Sequence, residues 1–228
     1  MLISFVISRN VPGDMVYKEM EVQNQRQTKI SRERSNQEYA RISHEMGVDQ
    51  PLFYFSLSAL AYPDTLHRIM KLKERESLSE LIAQYGNWPQ ISTYYHAVCD
   101  LEDRAFKLEA PRDGKVDFNT LKLTMTELRE AATQSEIEAR FELVHEICDQ
   151  YPTDLADIKS ELEDIEKAFV KVRKEATMWK LYVPNIHIHG FKNQFHHWIK
   201  KVFTLDFGRS YVDKRPVKEA IWEALPWT

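Results

Sequence analysis

The chain has 228 residues, 43% of them hydrophobic and 29% charged, which suffices for one large or two small globular domains with a buried core. Its 31 basic and 35 acidic residues give a net charge of −4, which excludes a general electrostatic attraction to nucleic acid. No apolar run approaches the roughly 18–20 residues needed to cross a bilayer. Two cysteines, Cys99 and Cys148, fix no disulfide by themselves, because each lies in a helical pattern where a free thiol packs equally well.

The first quarter of the chain predicts one short helix between less regular segments. Residues 15–34 are polar with little apolar periodicity, which is typical of a loop or a weakly packed helix. Ser35 and Glu38 have the spacing of a capping box and predict a helix that ends at Gly47 in a left-handed conformation. The strongly apolar run 51–62 follows, and its composition predicts a buried segment.

The next stretch predicts helices that are separated by proline and glycine. One helix begins at Pro63. Ser77 and Glu80 repeat the capping-box spacing at the start of a second helix, which Gly86 ends. A third helix is predicted over 89–111, between two prolines.

Two long helical stretches follow. Residues 118–150 contain neither glycine nor proline, but their apolar stripe restarts near Ser135, where Glu138 completes another capping-box pattern and indicates a kink or a second helix start. Thr153 is predicted to cap a helix over 153–179, whose apolar residues alternate at intervals of three and four and so form a heptad seam. The short connection predicts an antiparallel pair, with the seam in a bundle core rather than in an intermolecular coiled coil. The seam residues are Leu155, Ile158, Leu162, Ile165, Phe169, Val172, Ala176 and Trp179.

The last fifth of the chain changes character. Residues 181–189 lose the helical period and are rich in β-branched residues, which predicts an extended connector. Helical spacing resumes over 193–203, and Pro216 begins a short amphipathic run. The whole pattern predicts a mainly α fold, a helical bundle or hairpin insertion with a long antiparallel helix pair and little or no sheet.

Three short motifs stand near the two ends of the chain. FVISRNVPGD covers 5–14, EMGVDQPL covers 45–52, and DFGRSY begins at 206 and is followed by RPV and a short helix closing on LPWT. The motif residues are Pro12, Gly13, Asp14, Gly47, Asp49, Pro51, Leu52, Asp206, Phe207, Gly208, Ser210, Tyr211, Arg215, Pro216 and Val217.

In this order the motifs resemble permease subunits of bacterial oligopeptide, dipeptide and nickel ABC importers. The helix over 193–203 is similar to the Q-Y-x-x-W-L helix of that family. The chain departs from the family at Met15, where a proline usually follows the PGD motif, and at Leu205, where a glycine usually precedes the aspartate.

The resemblance implies three segments. Residues 1–57 follow the first membrane helix, and residues 191–228 lead to the second. Residues 58–190 form a helical insertion in the extracytoplasmic loop between them. It also implies that membrane-spanning stretches of about 20 apolar residues flank this segment in the longer protein.

The function that this resemblance implies is transport. The chain is expected to be the extracytoplasmic domain of a permease subunit in the cell membrane, docking or gating near a substrate-binding protein on the periplasmic side. The expected partners are that binding protein and a second permease subunit, with ATPase subunits reached only through the membrane part. No nucleic acid and no cofactor are expected. Two alternatives remain open: a free-standing helical interaction scaffold built on the heptad seam, and an extracytoplasmic metal-binding module.

Four histidines near residue 190 carry the metal-binding alternative. His187 and His189 point to one side of an extended segment, because side chains alternate along a strand, and neutral imidazoles so placed can bind zinc or nickel. His196 and His197 diverge on a helix, so at most one can join them. No cysteine lies nearby and Asp206 is the closest carboxylate, so half-buried solvated faces are favoured over a metal site.

No motif predicts an enzyme. The glycines are too far apart for a dinucleotide-binding or phosphate-binding loop, and neither G-x-S-x-G nor H-E-x-x-H occurs. The basic residues Arg32, Arg34 and Arg41 near Tyr39 are interleaved with glutamates and predict an exposed helix face rather than a nucleic-acid site.

Overall fold

The computed structural model describes residues 5–6, 16, 18–20, 32–69, 71–108, 118–204, 206 and 217–224. Within these ranges the chain is mainly helical with a small two-stranded sheet, which confirms the predicted fold class. Helices α1 to α8 are Arg32–Met46, Leu72–Tyr85, Trp88–Lys107, Phe118–Glu130, Gln134–Gln150, Ala156–Lys174, Gln194–Phe203 and Val217–Ala224. Strands β1 and β2 are Phe55–Ala59 and Pro184–Ile188, and two 3-10 turns are Asp64–Arg68 and Met178–Leu181.

The chain folds into two compact units. The discontinuous unit consists of Met1–Ser56 and Ile186–Thr228, and the helical unit consists of Leu57–Asn185. The insertion predicted at 58–190 overlaps the helical unit over 58–185. Both chain connections between the units run through the strands β1 and β2.

The helical unit has one continuous apolar core. Helices α3, α4, α5 and α6 pack in neighbouring pairs, and their apolar stripes supply most of the buried residues. Phe169 of α6 lies near the centre, with its ring 5.2 Å from that of Tyr94 and 6.2 Å from that of Phe141. The seam from Leu155 to Val172 is therefore buried inside the unit, as bundle packing requires.

Helices α5 and α6 run antiparallel, as predicted. Their polar contacts run in opposite chain order, from the Asp149–Lys159 ion pair near the connection, through the His145–Glu166 hydrogen bond, to the Glu138–Arg173 ion pair. The seam is shorter than predicted, because α6 ends at Lys174. Ala176 and Trp179 lie beyond that end, and Trp179 is 58% exposed.

Several predicted helix starts are wrong. Ser35 and Ser77 lie inside helices that begin at Arg32 and Leu72. The hydroxyl of Ser77 donates to the carbonyls of Lys73 and Glu130, so a mid-helix serine is satisfied without capping anything. A serine followed three residues later by a glutamate occurs both at helix starts and inside helices, so this spacing alone does not locate a helix start.

The remaining starts also differ from prediction. The capping box of α5 is formed by Thr133 and Glu136, two residues before the predicted pair of Ser135 and Glu138. Glu136 accepts hydrogen bonds from the backbone N–H groups of Ala132 and Thr133, both at 3.1 Å, which favours the earlier start. Thr153 does not cap α6, which begins at Ala156. The helix predicted at Pro63 is a 3-10 turn.

Gly86 ends α2 as predicted, with φ of 68°. A Cβ at this position would lie 2.5 Å from the carbonyl oxygen of Thr177, so only glycine fits. The N–H of Thr177 donates to the carbonyl of Tyr85 at 2.8 Å, and Asn87 donates from its side chain to the carbonyls of Val172 and Glu175. This corner therefore holds the α2–α3 connection against the end of α6.

The apolar run 51–62 is not the buried segment that its composition predicts. It contains β1, in which Phe55 and Leu57 are exposed while Ser56 and Ser58 are half-buried. The reason is the alternation of side chains along a strand, which places the apolar residues together on the outer face. Residue Ala61, just past the strand, is buried in the core of the helical unit.

Candidate functional site

The discontinuous unit brings together segments that are far apart in sequence. The first two N–H groups of α7 donate to carbonyls of the 45–52 motif: Gln194 N to Pro51 O at 2.9 Å and Phe195 N to Leu52 O at 3.1 Å. The Gln194 side chain donates to the carbonyl of Gln50 at 2.7 Å. Because the first N–H groups of a helix lack partners within it, these carbonyls stabilise the start of α7.

Asn193 completes the start of this helix. Its side-chain oxygen accepts a hydrogen bond from the N–H of His196 at 2.7 Å, and its amide donates to the carbonyl of Gly190 at 2.6 Å. The first three N–H groups of α7 are thus satisfied. The position of the helix relative to the 45–52 motif is therefore fixed by backbone groups, independently of most side chains.

An aromatic cluster packs where α7 meets the 45–52 motif. The ring of Phe195 lies 5.1 Å from that of Phe5, 4.7 Å from that of Phe53 and 6.1 Å from that of Trp198. Phe5 is almost fully buried and also contacts Trp198 at 5.5 Å. Residues from 5–14, from the segment after 45–52 and from α7 consequently share one apolar cluster, which we call the motif junction.

The histidines near the motif junction have other partners. Nδ1 of His196 lies 3.2 Å from the hydroxyl of Tyr54, and Nε2 of His189 lies 3.0 Å from the hydroxyl of Ser56. His187 and His189 share the half-buried face of β2 and its continuation, as the alternation predicts. Among the residues that the structure describes, no three His, Cys, Asp or Glu side chains are grouped as metal ligands.

The other motif residues divide into those that are described and those that are not. Gly47 has φ of 67° and ends α1, which confirms its predicted role. Oδ2 of Asp49 lies 2.8 Å from Nδ1 of His44, and this hydrogen bond raises the pKa of the exposed imidazole. Asp206 donates its N–H to the carbonyl of Lys201, and Val217 begins α8. Pro12, Gly13, Asp14, Phe207, Gly208, Ser210, Tyr211, Arg215 and Pro216 lie outside the described residues.

Comparisons with protein-family models, with curated proteins and with solved structures find no match. None of the described helices is long and apolar enough to cross a membrane. A functional assignment therefore rests on the sequence motifs and on the contacts that bring them together.

A buried polar cluster inside the helical unit is not among the sites predicted from the sequence. The guanidinium of Arg129 on α4 lies 3.0 Å from Glu74 on α2 and 2.6 Å from Glu102 on α3. Tyr95 donates to Glu74 at 2.8 Å and Thr126 donates to Glu102 at 2.7 Å. All three charged side chains are at least nine-tenths buried, so the cluster joins three helices through charge rather than through apolar contact.

Burial and charge shift several pKa values in this cluster. Burial opposes the charge of Arg129, but the carboxylates of Glu102 and Glu74 outweigh it and raise the pKa of the guanidinium. Burial raises the pKa of the Cys99 thiol to about 11, which keeps it protonated and unreactive. Burial, together with Cys99 and Glu74, also raises the pKa of the Tyr95 hydroxyl, which stays a donor. Cys99 and Cys148 are both free thiols.

The sequence does contain a signal for this cluster. Glu102 stands four residues after Val98 and three before Ala105, on the buried stripe of α3. Arg129 stands four residues after the buried Met125 on α4. A charged residue at a stripe position, with an opposite charge at a stripe position of a neighbouring helix, predicts a buried ion pair.

For the histidines we predict no specific metal site. Titration calorimetry with zinc and nickel should show no binding tighter than about micromolar, because His189 and His196 already have hydroxyl partners and no thiolate supports them. A tight stoichiometric isotherm that is lost when His187 and His189 are both changed to alanine would contradict this. His145→Ala in the helical unit is the matched control and should leave such an isotherm unchanged.

Proposed function

We propose that the chain is the extracytoplasmic domain of the permease subunit of a peptide-type ABC importer. The observation that carries the proposal is the motif junction. The 45–52 motif and α7, which resemble consecutive parts of that family, are hydrogen-bonded to each other although more than a hundred other residues separate them. Those intervening residues form a separate core, as an insertion between two family segments should.

The helical unit is proposed to dock the substrate-binding protein or to gate its approach. Residues 57–185 contain 24 acidic and 17 basic residues, so the unit is acidic with charges of both signs on its surface. The outer face of α6 illustrates this, since Glu163, Glu166, Lys167, Lys171 and Lys174 line an open groove there. Such a surface suits a small, polar and transient interface.

In this proposal the chain itself carries out no chemistry. The binding protein delivers substrate on this face of the membrane, and ATPase subunits on the opposite face drive alternating access through the membrane part and a second permease subunit. The motif junction would hold the segment after the first membrane helix against the segment before the second. A rigid junction of this kind would couple movements of the two membrane helices.

The two-stranded ribbon formed by β1 and β2 allows the docking role of the helical unit to be tested by deleting most of that unit. Leu60 donates its N–H to the carbonyl of Val183 at 2.8 Å, and this bond continues the antiparallel pairing of β1 and β2 by one residue on each side. Replacing 61–182 with Asn-Gly should close a two-residue hairpin there and leave the discontinuous unit intact. In the full-length permease, we expect this variant to insert into the membrane but to bind the cognate substrate-binding protein about tenfold more weakly.

Binding is measured by titrating the binding protein onto the permease in nanodiscs, and uptake of peptides and nickel is measured in cells. Wild-type binding should be roughly micromolar or poorer and should weaken as salt is raised. A variant that carries an unrelated helical domain between the same two residues restores bulk without the docking surface, and it should behave like the deletion. Unchanged docking and uptake in the deletion would contradict a docking role for the helical unit.

A further inference from the structure

The charges of α6 are divided between its two halves. Residues 156–166 contain five acidic residues and one basic residue, whereas residues 167–174 contain four basic residues and no acidic one. The helix dipole favours acidic residues at the start of a helix and basic residues at its end, but its effect falls off within the first and last turn. It therefore does not account for Glu163 and Lys167, which lie in the middle of α6.

Four charged residues of α6 are used inside the helical unit. They are bonded to side chains of α3 and α5, and they are Lys159, Glu161, Glu166 and Arg173. The other six are exposed, and the exposed pairs Asp164–Lys167 and Lys171–Glu175 contribute little to stability, so these charges can exchange partners. What α6 offers to a partner is therefore three acidic residues followed by three basic ones: Asp157, Glu163, Asp164, Lys167, Lys171 and Lys174.

A line of residues along the outer face of α6 is suited to contact another helix. It lies opposite the buried stripe from Ile158 to Val172, and its members are four and three residues apart, which is the spacing of a heptad seam. We call this line the outer seam, and it consists of Ala156, Ser160, Glu163, Lys167, Val170 and Lys174. All of them are exposed except Val170, which is half-buried. Because the uncharged members are small, a second helix can approach closely.

We propose that the outer seam binds the outer seam of a second copy of the chain, with the two α6 helices antiparallel. A two-fold axis that passes α6 at the level of Ile165 places Glu163 of each copy beside Lys167 of the other. It also places the acidic first half of each helix along the basic second half of its neighbour. A parallel arrangement would set like charges against each other, which is repulsive.

The charge pattern argues for a second copy rather than for a partner of uniform charge. A surface of one sign would be attracted by one half of α6 and repelled by the other, whereas an identical helix in the opposite direction matches both halves. Helix α6 has 19 residues and is about 28 Å long, so one helix face from each copy forms an interface smaller than that of a standard protein complex. The dimer should therefore be weak, with a dissociation constant of roughly 10–100 μM, and sensitive to salt.

This inference does not depend on the proposed function. Self-association is a property of the chain itself and can be measured with the isolated 228-residue protein, without a permease, a binding protein or ATP. Loss of the importer assignment would leave this measurement unchanged. A chain that stays monomeric would leave the docking of the substrate-binding protein to be tested separately.

The test is sedimentation velocity over about 10–300 μM protein, in about 0.05 M and 0.5 M NaCl. The wild-type chain should dimerise as its concentration rises in low salt, and at least about tenfold more weakly in high salt. Two charge-reversed variants should each lose dimerisation at least about tenfold, because each has a face of one sign. The first is Lys167→Glu, Lys171→Glu, Lys174→Glu, and the second is Asp157→Lys, Glu163→Lys, Asp164→Lys. A mixture of the two should form a heterodimer, because an acidic face then meets a basic one.

Disulfide trapping tests the antiparallel direction. The proposed axis places residue 160 of one copy opposite residue 170 of the other, so the double variant Ser160→Cys, Val170→Cys should form a cross-linked dimer under mild oxidation. In Ser160→Cys alone, the two new cysteines would lie ten residues apart along the pair, about 15 Å, which is too far for a disulfide. The wild-type chain, with Cys99 and Cys148 as its thiols, is the control and should not cross-link.

The matched control for charge comes from the other unit. Changing Lys192, Lys200 and Lys201 to glutamate alters three exposed lysines by the same charge and should leave dimerisation unchanged. Circular dichroism should show the wild-type helical spectrum for all charge variants, because the altered side chains are exposed. A wild-type chain that is monomeric at about 300 μM in low salt, an equal loss in the control, a mixture that stays monomeric, or cross-linking by Ser160→Cys alone would overturn the proposal.

Discussion

Changing Phe169 to alanine is expected to destabilise the helical unit by about 3–5 kcal/mol, because it removes a large buried ring and leaves a cavity. Phe169 is 2% exposed, and its ring contacts those of Tyr94, Phe141 and Tyr85 from three other helices. These helices are held by the rest of the core, so they cannot collapse fully into the space. Urea unfolding followed by circular dichroism gives the free energy of unfolding.

Tyr182→Ala is the control for this change. It removes a ring of similar size that is 82% exposed, and we expect it to change the free energy of unfolding by less than about 0.5 kcal/mol. An unchanged melting temperature for Phe169→Ala, or a wild-type spectrum dominated by strand, would contradict the architecture described above.

Changing Arg129 to alanine is expected to cost a similar amount, about 3–5 kcal/mol, for a different reason. The substitution leaves the carboxylates of Glu74 and Glu102 buried and close together without their shared cation. Lys71, whose Nζ lies 3.2 Å from Glu74, and the hydroxyls of Tyr95 and Thr126 remain as partners. One partly exposed cation and two hydroxyl donors cannot balance two buried negative charges. The same unfolding experiment measures the loss.

A rescue variant distinguishes the loss of stability caused by unpaired charge from the loss caused by missing packing contacts. With Arg129→Met, Glu74→Gln and Glu102→Gln combined, the charges of these three residues are gone, while the glutamine oxygens still accept from Tyr95 and Thr126. Lys71, which pairs with Glu74 in the wild type, is partly exposed and keeps its contact with water. We expect most of the stability to return, because a buried ion cluster and a neutral replacement of similar volume are often nearly equal in stability. Arg104→Ala, which breaks the exposed pair with Glu161, is the control and should cost less than about 1 kcal/mol. A triple variant as unstable as Arg129→Ala would show that charge is not the cause.

The sequence predicts the helices and their core well, because local spacing carries that information. The seam from Leu155 to Val172 is buried as predicted, and Gly47 and Gly86 end their helices with positive φ. Helix starts are predicted less well. Two capping patterns overlap around Thr133 and Ser135, and only the backbone N–H groups that need a partner determine which one forms.

The site depends on contacts that no local pattern contains. The pairing of β1 with β2 and the bonds from α7 to Pro51 and Leu52 join residues more than a hundred positions apart. Composition alone predicted burial for 51–62, whereas the exposure of Phe55 follows from which face of the strand packs inward. That choice is made by the partner strand and by the surrounding tertiary structure, so it cannot be predicted from the run itself.

The hydrogen bond between Leu60 and Val183 also shows how the chain limits the conformational entropy cost of folding. Those two residues belong to the helical unit and lie within hydrogen-bonding distance of each other, with about 120 residues of chain between them. Closing a flexible loop of that length would cost the discontinuous unit on the order of 4 kcal/mol. Once the helical unit has formed its own core, its two ends are already adjacent, and the discontinuous unit meets only a short connection. An inserted unit whose two ends are adjacent therefore adds little to the conformational entropy cost of folding the unit that contains it.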